Sequence, residues 1–266
     1  MNINPAKLIY FSPTGTTKKI LLAVAAGAGI DLAGHINLTL PGAKSPTPEK
    51  LNDDLAIIGC PVYGGRVPAE AVSRLRPIKG NGSPAVIVVV YGNRAYEDAL
   101  VELWDLAVHA GFNVIAAGAF MGEHSYSTQD TPIAAGRPDL HDLVKAEEFG
   151  RLVHDKIRRM RSTRDMPLLR LPGNYPYKER STLSNIAPVT QERECTKCET
   201  CASVCPVAAI TVKESVITDQ VMCIRCCACV KSCPAGARQM EDARIRKVAE
   251  QLSVNCCTRK DAETYL

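Results

Sequence analysis

Eight of the twelve cysteines stand in two copies of one spacing between Cys195 and Cys233. The first copy is Cys195, Cys198, Cys201 and Cys205 before Pro206; the second is Cys223, Cys226, Cys229 and Cys233 before Pro234. Both read C-x2-C-x2-C-x3-C-P, a spacing that turns four thiolate sulfurs inward around one cubane and so points to 4Fe-4S clusters as cofactors. Zinc sites use paired C-x2-C knuckles or add histidines, which is a different pattern. Disulfides need an oxidising compartment, and Met1 to Tyr10 lacks the charged and apolar regions of a secretory leader. The expectation is free thiols ligating iron in a cytoplasmic protein.

At 266 residues and 46% hydrophobic, the chain is long enough for a medium domain plus a small one. No apolar run reaches the length of a membrane span. The net charge of +4 is modest, with positive residues gathered at Lys156, Arg158, Arg159, Arg161, Arg164, Arg170, Lys178 and Arg180. A solvated helix end running into a linker accounts for them better than a nucleic-acid site, and a docking face for an acidic redox partner is the other reading.

The first half alternates strands and helices. Lys7 to Phe11 reads as a strand, Ser12 to Thr17 as a loop and Lys18 onward as a helix. Strands follow at His35–Leu38, Asp54–Gly59, Ala85–Tyr91 and Asn113–Ala119, and helices at Ala69–Leu75, Tyr96–Ala110 and Asp139–Arg161. This rhythm predicts an α/β fold with a doubly wound, five-stranded parallel sheet whose ligands sit beyond the carboxyl ends of the strands. The hydroxyl-rich loop offers amides, side-chain donors and a helix N-terminus to a phosphate. It lacks the Gly-Lys-Ser/Thr ending of a nucleoside-triphosphate loop, and Gly27-Ala28-Gly29 is no dinucleotide fingerprint. Direct use of NAD(P)H is therefore disfavoured.

Ser12-Pro13-Thr14-Gly15-Thr16-Thr17 resembles the phosphate loop of flavodoxins, which bind flavin mononucleotide (FMN). The resemblance implies that the side chains of Ser12, Thr14, Thr16 and Thr17 and the amide of Gly15 hold the phosphate. With no cation in the loop, the phosphate field opposes further negative charge on the flavin and favours a low potential. The second flavin loop, by the same resemblance, is Pro61, Val62, Tyr63, Gly64 and Gly65, with Tyr63 against the ring or simply an aromatic at a loop edge. Cys60 before it reads as a small buried apolar residue. The third is Tyr91, Gly92, Asn93, Arg94 and Tyr96, where Asn93 is alternatively a helix cap and Arg94 alternatively the partner of Asp98. In the long segment Glu123–Asp139, Glu123, His124 and Tyr126 are candidates to handle protons, His124 and Tyr126 being the catalytic candidates; ordinary loop packing is the competing reading.

The domain boundaries expected are 1–163 for the flavin-binding unit, 164–188 for a proline-containing linker, 189–240 for the cluster unit and 241–266 for a helix and tail. Helical turns are expected at Pro206–Ala209 and Pro234–Ala237, and a hairpin around Lys213–Ser215. This half resembles the bacterial two-cluster ferredoxins, in which the fourth cysteine of each motif ligates the other cluster. The resemblance implies one cluster on Cys195, Cys198, Cys201 and Cys233 and another on Cys223, Cys226, Cys229 and Cys205. Cys227 reads as a packing residue, and Cys256 and Cys257 as structural, with a redox-sensitive role as the alternative for these two.

Together the halves resemble flavodoxin-ferredoxin fusion proteins of anaerobes. That implies an electron carrier interconverting one- and two-electron flow, with a ferredoxin or an oxidoreductase as redox partner. A flavin-dependent reductase of a small molecule, fed by the clusters, is the alternative.

Overall fold

The central strands of the first half are near-continuous apolar runs because both faces of the sheet are covered there, whereas the first-half edge strand is mostly exposed. In the computed structural model, which describes residues 5–42, 54–160, 169–180 and 184–266, β1 is Ala6–Tyr10, α1 Thr16–Ala28, β2 Leu32–Asn37, β3 Leu55–Pro61, α2 Ala69–Leu75, β4 Pro84–Tyr91, α3 Ala99–His109, β5 Asn113–Met121 and α4 Leu140–Arg159. Every residue of β4 is buried. One face packs Ile9, Ile58, Ile87, Val89, Leu100 and Leu103; the other packs Leu8, Leu21, Val24, Phe120, Phe149 and Val153.

The five parallel strands run in the order β2-β1-β3-β4-β5, the flavodoxin-like order. On the outer face α1 and α4 touch through glycine. A Cβ at Gly27 would lie 2.0 Å from the Glu147 carbonyl oxygen, and one at Gly150 would lie 2.1 Å from that of Val24. Asp139 caps α4 in a reciprocal capping box with Asp142.

Asn113–Ala119 does not end the sheet, as the sequence suggested. The second half contains β6 (Val189–Thr190), α5 (Thr200–Ser203), β7 (Ile210–Val212), β8 (Val216–Thr218), α6 (Ala228–Lys231), β9 (Arg238–Gln239), α7 (Ala243–Asn255) and β10 (Glu263–Tyr265). The last of these returns to pair antiparallel with β5, Thr264 opposite Gly118, as a sixth strand. It closes an edge that would otherwise present unpaired backbone groups. Helix α3 starts later than expected because Glu97 is left-handed, with φ 44°.

The hairpin β7-β8 forms around Lys213–Ser215 as expected. After each motif only a single hydrogen-bonded turn forms, from Cys205 to Ala208 and from Cys233 to Gly236; the short helices lie inside the motifs, at α5 and α6. Their entry is set by left-handed backbone at equivalent places in each copy, Lys197 and Glu199 in one and Arg225 and Cys227 in the other. Such turns point successive amides at one centre, the geometry that receives anionic sulfur. Cys227 is therefore the buried, left-handed residue that opens α6.

The described part of the linker is pinned along α3. Asp98, buried, accepts from the Asn174 amide at 2.8 Å and from its side chain at 3.1 Å, and also from the Lys178 amide at 2.6 Å. Tyr177 stacks under the Arg66 guanidinium at 4.7 Å and donates to Asp105. Much of the basic cluster is consumed this way. Arg180 reaches Glu102, Lys178 reaches Glu97, and Lys156 donates to the Ile115 carbonyl at 2.8 Å. Arg161 and Arg164 lie outside the described residues. No helix among the described residues is long and apolar enough to cross a membrane.

Candidate functional site

Four loops at the carboxyl edge of the sheet surround a cavity of about 520 Å³, within the roughly 300–1,000 Å³ usual for small-molecule sites. From the first loop, Thr14 and Thr16 reach its wall; Ser12, Gly15 and Thr17 do not. Ser12 Oγ instead accepts from the Lys18 amide at 3.1 Å, and Gly15, with φ 83°, opens α1 without a side-chain cap. Thr17 is fully buried, and its Oγ1 has no partner. An orphaned hydroxyl in the first turn of a helix whose N-cap glycine supplies no side-chain cap suits the donor set of a phosphate-binding loop. Lys19 is drawn away to the Pro138 carbonyl at 2.8 Å.

The second loop is a tight reversal. Tyr63 and Arg66 exchange backbone hydrogen bonds of 2.9 and 3.2 Å around Gly64 and Gly65, both left-handed, as a two-residue hairpin of this hand demands. A Cβ on Gly65 would fall 1.9 Å from the Glu97 carboxylate. The reversal sets Tyr63 in the cavity wall with Pro61, Val62, Gly64 and Gly65. Burial raises the Tyr63 phenol well above its usual value. Cys60 is buried beneath, its thiol pushed up to about 12 by burial.

In the third loop, Tyr91, Gly92 and Arg94 line the cavity, whereas Asn93 and Tyr96 turn away from it. The Asn93 side chain donates to the carbonyls of Cys256 at 2.7 Å and Thr258 at 2.8 Å, so it is neither a helix cap nor a cavity residue. Tyr96 Oη donates to Glu263 at 2.7 Å and lies 3.0 Å from the Tyr265 hydroxyl. Both hold the C-terminal tail, whose return no sequence pattern announces. Arg94 pairs with Glu97 at 2.7 Å, not with Asp98, which is taken by the linker.

His124 and Tyr126 come together in the wall, ring centroids 5.0 Å apart. His124 packs on Gly92, where a Cβ would lie 2.4 Å from its ring. Its Nδ1 accepts from the Tyr126 amide at 3.1 Å, which leaves the proton of the neutral ring on Nε2. Burial, then Arg94 and Lys231, push its pKa down to about 4. Burial raises the Tyr126 phenol to about 12. At neutral pH the pair therefore presents an uncharged imidazole N–H donor and a protonated phenol. Glu123 lines the same cavity, with its carboxylate taken by Lys231 of α6 and by the Gly136 amide at 2.9 Å.

The far wall comes from the second half: Val221, Met222, Cys223, Ile224 and Arg225, with Val248 and Leu252 of α7. Only the i, i+4 spacing of Val248 and Leu252 hinted at a shared apolar face. Further contacts join the halves. Arg74 donates to the Pro206 carbonyl at 2.6 Å, Lys231 to that of Ser127 at 2.7 Å, and Ser253 to that of Pro132 at 3.0 Å.

Two smaller cavities are lined by cysteine. One has Cys195, Cys198, Cys201 and Cys233 in its wall; the other has Cys205, Cys223, Cys226 and Cys229, with Cys227. Four thiols around each opening, drawn three from one motif and one from the other, suit the donor chemistry of an iron-sulfur cubane. Cys223 and Ile224 belong both to the second of these and to the large cavity at the sheet edge.

The 4Fe-4S binding domain family matches residues 188–211, which contain the whole first motif. Among solved structures, a flavodoxin from the domain Archaea is similar at 14% identity and TM-score 0.40, over 58% of this chain and 99% of that one. Oxidised flavodoxin 1 from Bacillus cereus gives 13% identity and TM-score 0.39, over 59% and 99%. The metal-soaked flavodiiron core from a Synechocystis species gives 20% identity and TM-score 0.43; 59% of this chain is covered, but only 36% of that protein. No curated protein matches the sequence. The chain joins a flavodoxin-like α/β unit to a ferredoxin-like unit carrying a 4Fe-4S motif, and this combination supports an electron-transfer role.

Proposed function

We propose that this protein carries electrons between FMN in the large cavity and two 4Fe-4S clusters in the cysteine-lined cavities. The supporting observation is Cys223, a ligand candidate of the second cluster that is also part of the cavity wall beside Tyr63, Arg94 and Tyr126. A bound flavin supplies two-electron chemistry and clusters supply single-electron steps, so their union interconverts the two. In this reading Thr14 and Thr16, in the cavity wall, bind the phosphate end, the adjacent buried Thr17 hydroxyl backs them as a further donor, and Tyr63 and Tyr91 bound the ring. The N–H of His124 serves as a hydrogen-bond donor at the ring edge. Cys195, Cys198, Cys201 and Cys233 hold the outer cluster, whose Cys198 is exposed, and redox protein partners in the cytoplasm dock on that side. Anaerobic reconstitution tests the reading: one FMN and about eight iron atoms per chain are expected, and absence of flavin, or about half that iron, overturns it.

A second reading, reduction of a small molecule at the flavin, is favoured by the uncharged donor pair His124 and Tyr126 in the same wall. Turnover of an organic acceptor that is lost in His124→Ala and Tyr126→Phe would select it.

A further inference from the structure

Arg238 is almost fully enclosed, 3% exposed, on the two-residue strand β9 just after the second motif. Its Nη1 donates to Thr190 Oγ1 at 2.6 Å and its Nη2 to Thr218 Oγ1 at 2.9 Å. Nη2 also lies 3.8 Å from Cys229 Sγ, and the side chain lines the cavity of Cys195, Cys198, Cys201 and Cys233. Its Nε is buried with no partner. Among the described residues no carboxylate pairs with it.

A buried guanidinium without a counter-ion is costly unless negative charge lies beside it. Thiolates around a cubane provide that charge, and it grows by one on each single-electron reduction. We propose that Arg238 is the shared counter-cation of both clusters: it touches a ligand sulfur of one and walls the other, and so raises both reduction potentials together. This rests on the two-cluster reading. Because a fixed cation interacts more strongly with the more negative reduced state, it favours reduction at each site. The unpaired Nε is a donor held for a sulfur of the Cys195 cluster.

The test is an EPR-monitored anaerobic titration of the full chain and of Arg238→Gln. With iron retained at about eight per chain, both cluster signals should move to lower potential by at least tenfold in the one-electron equilibrium, about 59 mV. Unchanged potentials, or a shift of one cluster alone, would overturn the shared role. If the Gln variant loses iron, Arg238→Lys decides. In protein labelled with ¹⁵N at its arginine side chains, pulsed EPR of the reduced clusters should show nitrogen coupling that disappears in Arg238→Lys. Coupling that is absent from the parent, or survives the substitution, overturns the proposal. Wild-type iron content and the presence of two cluster signals test the underlying reading separately.

Discussion

Removing the Glu102 carboxylate should loosen the flavin loop and the linker at once. Its side chain, 5% exposed, accepts from Arg66 Nε at 2.8 Å, Arg66 Nη2 at 2.9 Å, the Val67 amide at 2.9 Å and Arg180 Nη2 at 2.8 Å. Glu102→Ala leaves the half-buried Arg66 guanidinium with only the Lys178 carbonyl and the Tyr177 ring, and leaves the Val67 amide without its acceptor. Breaking one side of a buried ion pair costs about 3–5 kcal/mol. The Arg180 arm, whose side chain is 38% exposed, contributes at most about 1 kcal/mol of that. At roughly 2–4 °C per kcal/mol for a unit of this size, the midpoint should fall by about 6–20 °C. Trp104, the single tryptophan and two residues away on α3, reports the transition by fluorescence. Because Arg66 closes the Tyr63 reversal, FMN should bind at least tenfold more weakly, which is about 1.4 kcal/mol. A stability loss below about 1 kcal/mol, the range of a surface pair, would refute the reasoning.

Thr17→Val replaces the orphaned hydroxyl with a methyl group; the flavin-free protein should be unchanged or more stable, by up to about 2 kcal/mol, while FMN affinity measured by fluorescence quenching falls. His124 sets a pH dependence. Its folded pKa of about 4 lies below the ordinary 6.5, so between these values the unfolded chain binds the extra proton. Stability is then lost as pH falls from 6.5 to 4, by up to about 3 kcal/mol. Urea titrations at pH 7 and 4.5 should show a smaller acid loss in His124→Phe than in the parent. Gly65→Ala meets both a left-handed φ of 85° and the Glu97 carboxylate; about 1–3 kcal/mol of strain is expected, with a matching loss of FMN binding in equilibrium dialysis.

The cysteine motifs and the parallel sheet were legible because both are local signals. Spacing alone identifies a cluster motif, and an eight-residue buried strand such as β4 is a continuous apolar run. What the sequence hid was long-range. Asn93 and Tyr96 are the right residue types for a flavin edge, yet their hydrogen-bonding groups are spent on a tail more than 160 positions away. The three residues of β10 are too few to show periodicity. Likewise Glu102, in the middle of α3, reads as an ordinary surface acid until Arg66 and Arg180 are seen to converge on it. Gly27, which the sequence offered only as part of a failed dinucleotide fingerprint, and Gly150 are where α1 and α4 meet. The far wall of the large cavity was invisible for the same reason, since Val221 to Arg225 carry no flavin motif and reach the site only through domain packing.

The central claim is transfer within one molecule across the wall that Cys223 shares. Rapid photoreduction of the reconstituted protein, followed by absorbance at flavin and cluster wavelengths over a tenfold range of protein concentration, tests it most directly. The account expects a first-order exchange between flavin and clusters whose rate is independent of concentration. A rate that rises in proportion to concentration, or flavin and clusters that never exchange, would contradict it.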